Sequence, residues 1–455
     1  MADKTEKELS TEDVQEIAGR LKSFLEPFVR LLTREEQHAH AEAYIEGRSR
    51  LLTRRTSEPI ATDRGDKRRP LQHFVGAGKW EDEKIRNEMG RRIGAELGSP
   101  NGVLILDGSG FPKTGPHSVG TQRQWCGRLG KEEQCQVGEF LVYAAKGSVT
   151  LADCELYLPK DWAEDVKRRK AGYVPKDVEF QTGWELAAKM VLGRGQMLPH
   201  RWVVGDENYG RPTEFRDLLQ QAGERYLLEV PKTAKVWLPR GGGWMRAMDW
   251  TSQLPRHAWK TFTVRDGEKG PIIVRAAKAR VYTKRPKGPE RAEVLMVVQN
   301  QHDSKSWSYL ASDTRASLKE MVRVGSCRHG IEQALNLAKG DVGLDEYEMR
   351  SWVGWHHHMT LSMLALWFLV LEQRWLKKRG WRLPFHRFAE CWPSLSGAPA
   401  PTAKSQRSST SNCAAPSTPG RGTGQEGAAG HHLVCKSERR WTDGTSPDAE
   451  LAQFN

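Results

Sequence analysis

The chain has 455 residues, with 70 Lys and Arg against 57 Asp and Glu, which gives a formal net charge of +13 at pH 7. This excess favours a polyanionic partner, nucleic acid first, although charge alone also fits a protein that is merely basic. The seven cysteines form no CxxC pair, the longest apolar run (359–371) is shorter than the about 20 residues of a membrane span, and the N-terminus lacks a signal peptide's apolar core. We therefore expect a cytoplasmic chain with reduced thiols and no membrane segment.

The first hundred residues are predicted to be helical. Residues 11–50 have apolar side chains at helical spacing, among them Phe24, Phe28 and Leu32, and Lys79 to Leu97 predicts another helix. Between them lies an arginine-rich stretch, residues 48–69. Guanidinium groups bind phosphate oxygens in pairs, so this stretch suits contact with a phosphate backbone, and a solvated linker is an equally good interpretation.

An α/β sheet with an antiparallel edge is predicted next. The predicted strands are residues 103–106, 136–144, 148–156, 201–204 and 226–230, and the predicted helices between them are residues 183–192 and 212–222. Asp107 directly follows the first strand, and Asp206 lies just past the fourth. Such positions are where open α/β sheets place their sites, although a single Asp there is more often a helix cap or a turn residue.

Residues 231 to about 317 interrupt this order and predict a β-rich insertion. They contain alternating strand patterns and five Trp residues, most of which we expect in the core, with stacking on an extrahelical DNA base as the alternative. Helices are predicted again from Leu318 and end in an apolar helix from Trp355 to Trp375. Three consecutive histidines, 356–358, point in different directions on that helix, so structural roles are favoured over zinc binding. Residues 394–430 are rich in Ser, Ala, Pro, Thr and Gly and are expected to be disordered.

The segment Arg328-x3-Glu332-x6-Lys339 combines one carboxylate with two cations. At about 100° per residue, the three side chains fall within roughly 40° of one another on a helix. A solvated charged face is the ordinary explanation of such a group. Together with Asp107 and Asp206, however, Glu332 completes a set of three acids, and three converging carboxylates need a cation between them. Their hard oxygen ligands favour Mg²⁺ or Mn²⁺, ions that can activate a water or a 3′-hydroxyl towards a phosphodiester.

The chain resembles the DDE transposases of insertion sequences, particularly the IS4-like and IS701-like group. Four ordered blocks within residues 20–378 underlie the resemblance: LILDGSGFPKTGPHSVGTQRQWCGRLGKEEQCQV (104–137), LYLPKDWAED (156–165), WVVGDENYG (202–210), and the Arg328–Lys339 signature followed by GLDEYEMRSWVGWHHH. The sequence departs from the group at two positions. Gly325 stands where a Tyr usually precedes the Arg by three positions, and Gly108 stands where a second Asp commonly follows the first.

The resemblance implies an RNase H-like catalytic domain interrupted by the insertion, with Asp107, Asp206 and Glu332 as catalytic metal ligands and with Arg328 and Lys339 on DNA. The expected organisation is an N-terminal helical DNA-binding region (1–98), the two parts of the catalytic core (99–230 and 318–390), the β-rich insertion (231–317) and a low-complexity tail (391–455). The implied activity is Mg²⁺-dependent cleavage and strand transfer at terminal inverted repeats, with Mn²⁺ able to substitute. The implied partners are the repeats and target DNA, bound by a homodimer in the bacterial nucleoid.

Two other functions remain open on the sequence. A chain with Gly325 at this position can be a remnant that binds DNA ends without transposing them. A nuclease of the same fold would cut DNA without joining the ends to a target.

Overall fold

The computed structural model describes residues 11–50, 52–239, 243–267, 270–284, 291–301 and 306–379. The predicted low-complexity tail lies outside these residues. The helices of the N-terminal region are α1 (Thr11–Val29), α2 (Glu35–Arg48), α3 (Ser57–Arg64), α4 (Arg68–Ala77) and α5 (Asp82–Leu97).

Several arginines of the 48–69 stretch are bonded inside the protein. Arg48 is fully buried, and its guanidinium donates to the carbonyl oxygens of Val342 and Gly343. Arg50 lies 3.0 Å from an Asp63 carboxylate oxygen, and Arg55 pairs with Glu346 at 3.2 Å. For these three arginines both predicted interpretations, phosphate contact and solvated linker, are wrong, because each guanidinium stabilises internal structure.

The next part of the chain alternates between strands and helices. Its elements are β1 (Val103–Pro112), β2 (Gln122–Cys126), β3 (Lys131–Ala145), β4 (Ser148–Leu156), α6 (Lys160–Glu164), α7 (Val166–Ala171), α8 (Gly183–Leu192), β5 (Trp202–Gly205), α9 (Glu207–Gly210), α10 (Thr213–Gln221) and β6 (Tyr226–Val230). A 3₁₀ turn at Arg194–Met197 precedes β5. The predicted bounds of β4, β6 and α8 are confirmed residue for residue.

The remaining elements begin with the region predicted as an insertion. They are β7 (Lys235–Leu238), β8 (Gly243–Arg246), α11 (Ala247–Ser252), a 3₁₀ turn (Arg256–Ala258), β9 (Lys260–Gly267), β10 (Gly270–Thr283), β11 (Arg291–Asn300), β12 (Ser306–Ala311), α12 (Leu318–Ser326), α13 (His329–Val342) and α14 (Trp352–Lys378).

The described strands form one mixed sheet of twelve. Its main path runs β2-β3-β1-β5-β6-β12-β11-β10-β7-β8, with β4 paired to β3 and β9 paired to β10. The pairs β1–β5 and β5–β6 are parallel, and the other pairs are antiparallel. The strands of residues 231–317 therefore continue the same sheet that contains β1, β5 and β6, because β12 pairs with β6.

Helix α14 forms the centre of the core, with Trp355 and Trp367 fully buried. The structure confirms structural roles for the histidines on this helix. His357 bonds to the carbonyl oxygens of Val75 and Trp80, and His358 bonds to Leu344 and to the Tyr44 hydroxyl. Within the described part of the chain, no helix has the length and apolar character that crossing a bilayer requires.

Candidate functional site

Two of the predicted acids, Asp107 and Asp206, lie side by side on neighbouring strands. In the parallel pair of β1 and β5, the last register partners are Leu106 and Gly205, and each Asp is the next residue along the chain. Both Asp residues follow the same register pair, so their carboxylates begin at the same level of the sheet. Adjacent strands are about 4.8 Å apart. We call Asp107 and Asp206 the acid pair.

The backbone around the acid pair differs from the prediction at Asp107. The prediction that the first strand ends there is wrong, because β1 continues to Pro112 by pairing with β3, where Asp107 is opposite Phe140. The pairing of β1 with β5, in contrast, ends at Leu106, one residue before Asp107. Asp206 is the N-cap of α9, and its Oδ1 accepts a hydrogen bond from the Asn208 backbone N–H at 2.9 Å.

Both carboxylates of the acid pair have raised pKa values, and burial is the main cause. Burial, and then the charge of Asp206, raise the pKa of Asp107 to about 7. Burial also raises the pKa of Asp206, although the nearby Arg328 guanidinium opposes this shift. A cation bound between the two carboxylates would favour their charged forms and so lower both pKa values.

Glu139 is a third acid at this place, and it is not among the site residues predicted from the sequence. It lies on β3 opposite Gly108, and a Cβ atom at position 108 would be 3.3 Å from Glu139 Oε1. Its carboxylate is buried and accepts a hydrogen bond from the Tyr209 hydroxyl. Burial raises the pKa of Glu139 to about 7, and the charge of Asp206 acts in the same direction. A single acid inside the otherwise apolar run of residues 137–145 was the available signal.

Arg328 lies beside the acid pair at the start of α13. Its Nη1 is 2.5 Å from Glu229 Oε2. Glu229 is on β6, directly after Leu228, the residue that pairs with Gly205 of β5. Burial works against the charge of Arg328. The carboxylates of Glu229, Asp206 and Asp107 outweigh burial, so the pKa of Arg328 is above its ordinary value.

Lys339 lies on the other side of Asp107. Its Nζ donates to the Ser109 hydroxyl at 2.8 Å, and Ser109 shares a strand face with Asp107 because side chains alternate along β1. The same face packs on α13, where a Cβ atom at Gly330 would be 3.6 Å from Ile105 Cδ1. Burial, followed by the nearby Arg128 charge, lowers the pKa of Lys339. Both predicted DNA-contacting cations therefore flank the first Asp.

Glu332 is not brought together with the acid pair. Its side chain is 63% exposed and lies 3.2 Å from His329 Nδ1. It lines a cavity of about 290 Å³ together with Arg328, Trp307 and Gly325. Among the residues that the structure describes, no three His, Cys, Asp or Glu side chains are arranged to hold one metal ion. The role of Glu332 as a metal ligand thus stays a prediction.

The donor set of the acid pair nonetheless fits a hard divalent cation. Asp107 and Asp206 supply only carboxylate oxygens, and such ligands select Mg²⁺ or Mn²⁺ over softer metals. Burial is the main cause of the raised pKa values of both groups, and a bound cation would offset that cost by favouring the charged carboxylates. The residues that would hold a metal are therefore these two, with Glu332 as the predicted third.

The absence of a side chain at Gly325 leaves space beside the signature helix. A Cβ atom there would meet only Leu227 and Met296, at ordinary contact distances of 3.5 and 3.6 Å. Tyr309 and Trp307 of β12 line the same cavity. The aromatic surface next to Arg328 is thus supplied by the strand of residues 306–311.

Comparison with known proteins identifies related families. A family model described as "DDE superfamily endonuclease" matches residues 27–271, and a second, described as "Transposase DDE domain", matches residues 179–368. A protein of Microchaete diplosiphon described as "Probable transposase for insertion sequence element IS701" is 23% identical over 306 residues. That alignment covers 66% of this chain and 73% of the relative. The first match includes the acid pair, and the second includes Asp206 and the Arg328–Lys339 signature.

Proposed function

This chain belongs to the DDE superfamily of endonucleases and contains a transposase DDE domain, and from that premise we propose that it cuts and transfers the ends of an insertion sequence. The substrate would be the terminal inverted repeats, and the second substrate would be target DNA. Each end would be hydrolysed by water, which leaves a 3′-hydroxyl. That hydroxyl would then attack a target phosphodiester, forming one new P–O bond while the target strand breaks, with no covalent bond to the protein.

The observation that carries this proposal is the acid pair between two cations. Asp107 and Asp206 are neighbours through the β1–β5 register, with Arg328 close enough to shift the pKa of both and Lys339 bonded to Ser109. A phosphodiester approaching this sheet edge would meet positive charge on both sides of the carboxylates. Arg328 and Lys339 would hold the strand, and the acid pair would face the bond to be cut.

Asp107, Asp206 and Glu332 would hold Mg²⁺, with Mn²⁺ as a substitute. When bound, the metal would supply Lewis-acid activation of the attacking oxygen and charge stabilisation at the leaving oxygen. Ser109 keeps the Lys339 ammonium beside β1, and Glu229 keeps the Arg328 guanidinium beside β6. Both cations are thereby oriented before DNA binds, which reduces the reorganisation that binding requires.

The domain organisation is part of the same proposal. Residues 99–230 and 318–390 would form an RNase H-like core, and residues 231–317 an insertion built onto its sheet. The helical region 1–98 would recognise the DNA ends. Because two ends must be cut together, the working form would be a homodimer on DNA, located with the bacterial nucleoid in the cytoplasm.

One observation favours a second function. Glu332 contacts His329 and is not grouped with the acid pair, so the chain can also be a catalytically impaired remnant that binds DNA ends without transposing them. In that case end binding would persist, and metal-dependent cleavage would be absent.

The test is excision from a donor plasmid that contains the flanking repeats, with product analysis of strand transfer. Wild type is compared with Asp107→Asn, Asp206→Asn and Glu332→Gln, and with Glu132→Gln as a control at an exposed acid of β3. The proposal expects excision and joining by wild type and the control alone. Excision by any of the three variants would remove that residue from the assignment. Cleavage without joining would indicate a nuclease, and end binding without cleavage would indicate the remnant.

A further inference from the structure

A cleft with several cations lies on the β6 side of the acid pair. It has a volume of about 400 Å³ and is bounded by the α9–α10 turn, the segment after β6 and the end of β10. Its charged lining residues are Arg211, Arg216, Lys235 and Lys284, and no Asp or Glu is among the described residues that line it. We call it the basic cleft.

The four cations of the basic cleft differ in how far the protein neutralises them. Arg216 is buried, lies 3.2 Å from Glu293 Oε1 and donates to the Gly210 carbonyl oxygen, so it forms the wall of the cleft. Among the described residues, Arg211 forms an ion pair only with Glu207, an exposed contact of a type that contributes a few tenths of a kcal/mol. Lys235 and Lys284 are exposed, and neither has an ion-pair partner in the part of the chain that the structure describes.

The backbone adds donors to the same cleft. Thr213, the first residue of α10, lines it, and the N-cap of that nine-residue helix is Pro212, which provides no side-chain cap. The first N–H groups of a helix have no partner within the helix and favour an anion. Two ammonium groups and a helix N-terminus thus face one space, and none of its described lining residues is a carboxylate.

The position of the basic cleft relates it to the acid pair. Gly210 follows Asp206 by one turn of α9, and the lining residue Val230 ends β6, the strand beside β5. Lys235 and Lys284 lie farther along the sheet, on β7 and just after β10, and the loop after β6 and the α9–α10 turn bring them to the same cleft.

We infer that the basic cleft binds a phosphodiester of the DNA held at the acid pair, away from the bond to be cut. This inference rests on the proposed function and adds Lys235 and Lys284 to its DNA contacts. The contact reads charge and not sequence, so it would strengthen binding to any duplex. It would also fix the direction in which the strand leaves the site.

The test measures DNA affinity of the full chain as a function of salt. The variant Lys235→Gln/Lys284→Gln is compared with Lys167→Gln/Lys170→Gln, a control that removes the same charge from exposed positions of α7. The probes are a 30-base-pair duplex of random sequence and a duplex of the element end. Each lost phosphate contact reduces the magnitude of the negative slope of log K against log salt by about 0.9, so the magnitude for the cleft variant is expected to fall by up to about 1.8 on both duplexes.

An unchanged slope in the cleft variant, or an equal loss in the control, would overturn the inference and leave the proposed function in place. A wild-type chain that binds neither duplex would overturn both. Thermal unfolding of each variant shows whether it is folded. Should the double variant be unstable, Lys284→Gln alone, expected to lose about 0.9, replaces it. Inorganic phosphate at millimolar concentration is also tested as a competitor of DNA. If it competes while the salt slope of the cleft variant equals that of wild type, the cleft binds a free anion instead of the DNA backbone.

Discussion

The Tyr209 hydroxyl donates a hydrogen bond to the Glu139 carboxylate, and this bond joins the turn after β5 to β3. Both side chains are buried, and Tyr209 belongs to the short helix that Asp206 caps. The bond therefore fixes the position of one member of the acid pair relative to the strand beside the other. Gly183 contributes by leaving space, because a Cβ atom there would be 2.7 Å from Glu139 Oε1.

Replacing Tyr209 by Phe is expected to destabilise the protein and slow DNA cleavage. The change leaves a buried carboxyl without its hydroxyl donor, which costs about 1–3 kcal/mol. Thermal unfolding and the cleavage rate at saturating Mg²⁺ measure the two effects. The control is Tyr157→Phe, at a partly buried tyrosine whose pKa is raised by burial and also by the charge of Glu139. Unaltered unfolding and cleavage in Tyr209→Phe would show that the bond positions nothing.

Glu139 should give the metal-free protein a stability that falls as pH rises from about 4.5 to about 7. Its pKa is raised in the folded chain to about 7 from an ordinary 4.5, so in this window the folded state keeps a proton that the unfolded state has lost. The difference amounts to at most about 3 kcal/mol. The melting temperature, measured in chelator across this range, should therefore fall less in Glu139→Gln than in wild type. Identical pH profiles would contradict the raised pKa.

Adding Mg²⁺ should stabilise wild type and have little effect on Asp107→Asn or Asp206→Asn. Binding to the folded state alone contributes about 2.7 kcal/mol when the metal is at one hundred times its Kd. The shift in melting temperature on titration with Mg²⁺ measures it, and Glu132→Gln should behave as wild type. A full shift in Glu332→Gln would show that this Glu is not a ligand in the absence of DNA. A full shift in Asp107→Asn would place the metal elsewhere.

Arg48→Leu should destabilise the protein by about 3 kcal/mol or more, because several buried carbonyl oxygens at the end of α13 would lose their donor. Arg54→Leu changes an exposed arginine of the same stretch and should alter stability by less than about 0.5 kcal/mol. Denaturant unfolding compares the two. Equal effects would mean that the carbonyl oxygens find other partners.

The elements that the sequence predicts best are those set by local pattern. The bounds of β4, α8 and β6 follow from alternating or helical apolar spacing, and the structure matches them. The extent of β1 was not predictable in this way. Its second half, beyond Asp107, is a strand because Pro112 is still paired with Cys135 of β3, a partner distant in sequence and separated from it by a turn-rich loop.

The residues of the candidate site also differ in whether local sequence pattern predicts them. Asp107, Asp206, Arg328 and Lys339 could be selected from motif and strand position, and the structure places them around one sheet edge. Glu139 could not be selected, because its importance depends on the antiparallel register that sets it opposite Gly108. The internal roles of Arg48 and Arg55 also depend on partners nearly three hundred residues away, which spacing along the chain does not show.

The continuous sheet means that residues 231–317 cannot be treated as a detachable module. Strand β6 is hydrogen-bonded to β5 on one side and to β12 on the other. Deleting the region would leave a central strand with a row of unpaired N–H and C=O groups, which is a template for self-association. Shortened forms of this protein should therefore precipitate instead of folding into a smaller nuclease, and evolutionary loss of the region would require a replacement strand.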